Sequence, residues 1–175
     1  MPIPCPFVRF CFLSLLLVSA IPAAHAVGLK GDAFLGYSRT GSDIFYPNTG
    51  GLNGWQAALH IRPGRFLGIE GDVAHYGIGA DSLVPRTTTF LAGPRVTFSG
   101  VGIQAFLHGL VGGEHSSNDD GISGGAFAYA LGGGADLPIA PVIKLRLAID
   151  HLSAPSVSPS NGTLIRFTAG FAVHF

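Results

Sequence analysis

The stretch Asp150-His151-Leu152-Ser153-Ala154 holds the pair of residues best suited to chemistry. Two positions apart on a strand, His151 and Ser153 share a face. A histidine beside a serine hydroxyl is the base and nucleophile of ester hydrolysis. That reaction also needs a carboxylate to orient the imidazole. No Asp or Glu follows Ser153, and Asp150 falls on the opposite face of the same strand. His75, His115 and His151 share one parity at the ends of three strands, but those strands are not neighbours and no metal site is expected. The sequence has no phosphate-cradling loop, no metal-ligand cluster and no basic surface for nucleic acid. No cofactor or metal is expected.

A larger constellation is electrostatic. Asp32, Glu70, Asp72, Glu114, Asp136 and Asp150 alternate with apolar neighbours, as do Lys30, Arg62, Arg95, Lys144, Arg146 and Arg166. These six acids and six bases account for 12 of the 20 Asp, Glu, Lys and Arg residues in the chain. Charges shut inside a narrow space must be paired, because a lone buried charge costs several kcal/mol. A balanced set on one face therefore predicts an enclosed, charge-paired interior.

The elements that carry these residues follow from composition and address. Only 11% of the 175 residues are charged and mean hydropathy is +0.44, whereas about 25% is usual for soluble domains. Residues 1–26 have Arg9 in a leading region, an apolar core from about Phe10 to Val18, and the ending Ala24-His25-Ala26. This is the layout of a secretory signal peptide cleaved after Ala26. Both cysteines, Cys5 and Cys11, fall inside it, so residues 27–175 have no thiol chemistry.

Beyond the signal no apolar run reaches the roughly 18 residues of a spanning helix. Period-two alternation instead predicts eight strands, over about 29–38, 53–62, 66–76, 87–98, 101–115, 125–138, 142–152 and 163–175. Their connections alternate in length. Residues 63–65, 99–100 and 139–141 are short, while 39–52, 77–86, 116–124 and 153–162 are longer and polar. Short turns at one end and long loops at the other is the layout of an outer-membrane barrel. Such a barrel is all-β, antiparallel and up-and-down, with its apolar face outward and its charged face in the lumen. Tyr37, Trp55, Phe90, Phe127 and Tyr129 fall toward the long loops on the apolar face, and Phe98 and Phe175 toward the short turns. These are the two interfacial girdles expected of a membrane barrel. A soluble lipocalin-like carrier would have the opposite polarity.

The stretches Gly68–Tyr76, Phe90–Phe98, Ala128–Pro138 and the last strand resemble the small eight-stranded outer-membrane β-barrel proteins, OmpA- and OmpX-like. The resemblance spans essentially all of residues 27–175. It implies a monomeric Gram-negative outer-membrane protein in contact with lipid and lipopolysaccharide, inserted with the help of periplasmic chaperones and the barrel-assembly machinery. It also implies that Thr168, Gly170, Val173 and Phe175 form the terminal assembly signal. Larger members carry a peptidoglycan-binding domain after the barrel. This chain ends at Phe175, so cell-wall tethering is not carried over. An interior filled by the twelve charges with Tyr76, Phe106, His60 and His108 leaves no wide pore. The expected role is structural or one of surface interaction through the loops. The alternative is an enzyme: His151 and Ser153 resemble the His-x-Ser pair of lipid A deacylases. Ala154 stands where those enzymes usually have Asn, and the orienting acid after the serine is missing.

Overall fold

The computed structural model describes residues 30–41, 52–77, 86–100, 102–117, 123–155 and 164–175. The expected signal segment, residues 1–26, and most of each long connection lie outside the described residues. Eight strands appear in chain order: β1 (Lys30–Gly41), β2 (Leu52–Arg62), β3 (Leu67–Tyr76), β4 (Arg86–Ser99), β5 (Gln104–Ser117), β6 (Ser123–Pro138), β7 (Ile143–Ser153) and β8 (Leu164–His174). Each pairs antiparallel with its neighbours, and β8 returns to β1, closing the sheet.

The polarity is that of a barrel turned inside out. Outward positions are apolar and bare, with Ile69 and Phe127 each 66% exposed. Inward positions are polar and covered, with Arg166 at 0% and Arg95 at 1%. Tyr37, Phe90, Phe127 and Phe98 are exposed on the outward face, with Trp55 and Tyr129 half-covered beside them. A soluble sandwich would show the reverse pattern.

Strand stagger decides which inward residues meet. The outward row of cross-strand partners runs Thr88, His75, Trp55, Tyr37, Ala169, Leu147, Ala135, Ala105 and Phe98. It leaves β4 at Thr88 and returns to β4 at Phe98, a stagger of ten residues. Closing a sheet demands such a stagger, and it tilts the strands against the barrel axis.

Two boundaries differ from the alternation pattern. β1 runs on to Gly41 where a loop from residue 39 is expected. Its upper inward positions are Ser38 and Thr40, both fully covered, and small polar residues facing a lumen look like loop in sequence. β5 starts at Gln104, not near residue 101, because the turn there uses Gly102 at a φ of 79°, a conformation glycine adopts without steric cost.

Glycine makes room in the interior. A side chain at Gly134 would meet the Phe106 ring at 2.8 Å, and one at Gly132 would collide with the Asp150 carboxylate. At the closing seam Gly31 and Phe175 exchange backbone bonds of 2.9 and 3.0 Å. The Phe175 ring lies over Gly31, where a Cβ would approach it to 2.8 Å, an aromatic covering a cross-strand glycine. Deleting Phe175 removes this pair. The variant is expected to reach the outer membrane at far lower yield than one shortened in Ser116–Gly121, as measured by the heat-modifiable band in membrane fractions. Equal yields would remove the role given to Phe175.

Candidate functional site

The lumen holds one connected system of ion pairs and hydrogen bonds. Its lower part centres on Arg146, which donates from Nε to Asp136 Oδ1 at 2.7 Å and from Nη2 to Asp136 Oδ2 at 2.8 Å. The same Nη2 reaches Asp32 across the seam of the barrel. Arg95 donates from Nη1 to Glu70 Oε2 at 2.6 Å and from Nη2 to Asp136 Oδ2 at 3.3 Å. Its guanidinium carbon stands 3.7 Å from the centre of the Phe106 ring, a cation–π contact shut off from water. His60 donates from Nδ1 to Asp32 Oδ2 at 3.0 Å.

The upper part centres on Arg166. Its Nε and Nη2 lie 2.7 and 2.6 Å from Asp150 Oδ2, and its Nη1 donates to Asp72 Oδ1 at 2.9 Å. Gln56 Nε2 donates to Asp72, and Thr168 Oγ1 donates to Gln56 Oε1 at 2.6 Å. His108 joins the two parts. It donates from Nδ1 to Glu70 Oε1 at 2.8 Å and from Nε2 to Asp150 Oδ1 at 2.7 Å. A ring that donates from both nitrogens is an imidazolium. The system thereby draws at least one residue from every strand.

Nine of the twelve charges singled out in the sequence are buried: Asp32, Glu70, Asp72, Arg95, Glu114, Asp136, Arg146, Asp150 and Arg166. Eight of these belong to the connected system, and Glu114 lies toward the loop end, opposite Thr89. Lys30, Arg62 and Lys144 have the same parity but stay at the turn-side mouth, outside the buried set. The expected pairing of six with six is therefore not the arrangement seen. Five carboxylates share three guanidiniums and two imidazoles. Parity hides these imidazole roles, since only the register sets His60 opposite both Asp32 and Glu70 and His108 opposite Arg95.

Above the ion-pair system an apolar cluster joins the buried Ser38, Thr40, Thr87, Thr89 and Glu114. Ala74, Tyr76, Leu91, Leu110, Ala128, Ala130, Leu152 and Ala154 form one buried cluster toward the loop end, with Leu52 and Leu164 packed against it. Of the four residues expected to form an assembly signal, Thr168 faces inward and bonds Gln56. Gly170 is opposed to Gly36, with no space for a Cβ. Val173 and Phe175 take outward positions, half-covered.

His151 and Ser153 both lie on the outward face, exposed and half-covered respectively. All six described carboxylates, Asp150 among them, point into the lumen. No group of three or more His, Cys, Asp or Glu suited to a metal occurs among the described residues.

No protein-family model and no curated protein matches this sequence. Solved structures do. Neisserial surface protein A (NspA) aligns with a TM-score of 0.65 at 15% identity, over 85% of this chain and 97% of that one. Ail, the attachment invasion locus protein of Yersinia pestis, aligns at 0.56 and 17%, over 84% and 98%. The N-terminal barrel of Pseudomonas aeruginosa OprF aligns at 0.57 and 11%, over 84% and 97%. The fold is that of the small outer-membrane β-barrels.

Replacing Arg146 with Met takes the bidentate partner from Asp136 and leaves Asp136 to Arg95 and Asp32 to His60 and Arg95. This is expected to cost about 3–5 kcal/mol, the usual effect of removing one partner from a buried pair. The loss would be read as a lower urea midpoint for unfolding from micelles. The same change at exposed Arg65 is expected to stay within about 0.5 kcal/mol.

Proposed function

We propose that this chain is a monomeric outer-membrane barrel with a closed lumen, whose role is structural or one of surface interaction rather than transport. The observation that carries this reading is the interior. A system of ion pairs reaching every strand fills the turn-side half, and an apolar cluster lies above it. An ion entering would have to break buried pairs and then pass the buried apolar cluster toward the loop end. Contact with the surroundings then falls to the outward face, which meets lipid and lipopolysaccharide, and to the long connections around residues 42–51, 78–85, 118–122 and 156–163. Ail, which has this fold, is named the attachment invasion locus protein and has been crystallised with the heparin analogue sucrose octasulfate. That is in keeping with a surface role. Delivery by periplasmic chaperones and the assembly machinery, with Thr168, Gly170, Val173 and Phe175 as the signal, completes the reading.

Reconstituted protein is expected to give no swelling of sugar-loaded liposomes and no large, stable conductance steps in planar bilayers. Large open channels in either assay would overturn the closed lumen. The deacylase alternative has little support. His151 has no carboxylate to orient it on the outward face among the described residues, and Asp150 is held by Arg166 and His108. Mass spectrometry of lipid A is expected to show the same acylation in cells with wild-type protein, with Ser153→Ala and with none. Loss of an acyl chain that depends on Ser153 would reinstate the enzyme.

A further inference from the structure

The carboxylates of the lower lumen are all engaged, yet three cations are left over. Lys30, Arg62 and Lys144 occupy inward positions at the turn-side mouth, and none has a carboxylate within 4.0 Å among the described residues. Lys30 and Arg62 are direct cross-strand partners, a placement in which like charges destabilise a sheet. Lys144 lies within electrostatic reach of Arg62, and His174 within reach of both. Asp32 also acts on Lys144 and on His174, and Asp136 on Lys144, but Arg146 already holds both carboxylates.

Donors short of charged acceptors line the same mouth. Lys144 Nζ has only the amide oxygen of Gln104, at 2.7 Å. His174 Nδ1 is buried beside the Gly31 backbone. His60 is 2% exposed and bonds Asp32 through Nδ1, while its Nε2 is packed against Gly68 without a hydrogen-bond partner. A buried, unpartnered nitrogen costs about 1–3 kcal/mol, and here it adjoins a set of unneutralised cations. Phe66, Phe98, Ile139 and Val142 stand exposed around this end, which sets the mouth at headgroup depth.

We propose that the turn-side mouth is an anion site for a phosphate group, held by Lys30, Arg62 and Lys144 with His174 as a further donor. Phosphate suits it because several acceptor oxygens and up to two charges can serve donors that converge from β1, β2, β7 and β8. The group belongs either to a lipid headgroup of the adjacent leaflet or to a free phosphate-bearing solute. The site goes beyond the function proposed above, because a closed lumen needs no ligand at its mouth.

The test uses isotope-labelled full-length mature protein refolded in maltoside micelles, which contain no phosphate. Sodium phosphate is titrated against sodium chloride at matched ionic strength while the NMR signals of Lys30, Arg62, Lys144 and His174 are followed. A second arm replaces inorganic phosphate with phosphatidylglycerol doped into the micelles. A saturable shift at these residues is expected in at least one arm, and the arm that responds names the source. The double variant Arg62→Gln/Lys144→Gln is expected to weaken the response about tenfold or more, as loss of charge-assisted bonds implies. If it does not refold, Arg62→Gln alone serves, and the wild-type titration stands without either. No shift in both arms, or an equal shift with chloride, overturns the site.

Discussion

Closure of the sheet is the constraint on which the rest depends. In hydrocarbon every backbone N–H and C=O must be bonded within the protein, so a strand-built molecule can have no free edge. β8 meets that demand by pairing with β1 over ten positions, from Asp32 with His174 to Gly41 with Ile165. Eight strands closed this way enclose a space about as wide as the side chains that line it. The interior is therefore a core, and its residues must satisfy one another. Asp136 and Arg146 stand directly opposite across β6 and β7, and Asp150 and Arg166 across β7 and β8. Arg146 then reaches over the seam to Asp32, which is 114 positions away in sequence.

Much of this is written in the sequence as alternation, and the part that is not depends on register. Parity along β7 and β8 separates Ile143, Leu145, Leu147 and Ile149 from Arg146 and Asp150, because the side-chain period of a strand is two. That is enough to assign faces and to count strands. It cannot say who meets whom, since partners are set by a stagger of ten residues that belongs to the closed sheet as a whole. For this reason His60 and His108 look like space-fillers in sequence and are members of the ion-pair system in the structure. Lys30, Arg62 and Lys144, by contrast, look paired in sequence and stand at the mouth. The upper part of β1 is hidden for a related reason. Ser38 and Thr40 are fully covered, but nothing in a short run of small polar residues tells a lumen from a loop.

The glycines show the same dependence on closure. Gly132, Gly133 and Gly134 would weaken an ordinary strand. Here Gly132 stands beside the Asp150 carboxylate and Gly134 beside the Phe106 ring. Phe106 in turn carries Arg95 on its face and has Arg146 within 5.1 Å of its centre. A larger residue at either glycine would push a ring or a carboxylate out of the set that neutralises the lumen. Backbone propensity is given up locally so that a few large side chains can meet near the axis.

A charged interior also settles which way round the barrel is built, which an apolar one would not. A strand that slips by one residue turns its whole inner face outward. If the lumen were lined with Leu and Ala throughout, such a slip would leave an apolar face toward lipid in either register, and the error would cost little. With Arg95, Arg146 and Arg166 inside, displaced registers carry arginine into hydrocarbon at about 2–4 kcal/mol each near the midplane. Three such displacements would cost about 6–12 kcal/mol, comparable to the whole stability of a typical domain. The stranded carboxylates would add to that. Buried ion pairs are weak evidence for stability as such, but here they set the native register apart from its neighbours. The apolar cluster at the loop end could not do so alone, since its Leu and Ala residues would be at ease on either face of the wall.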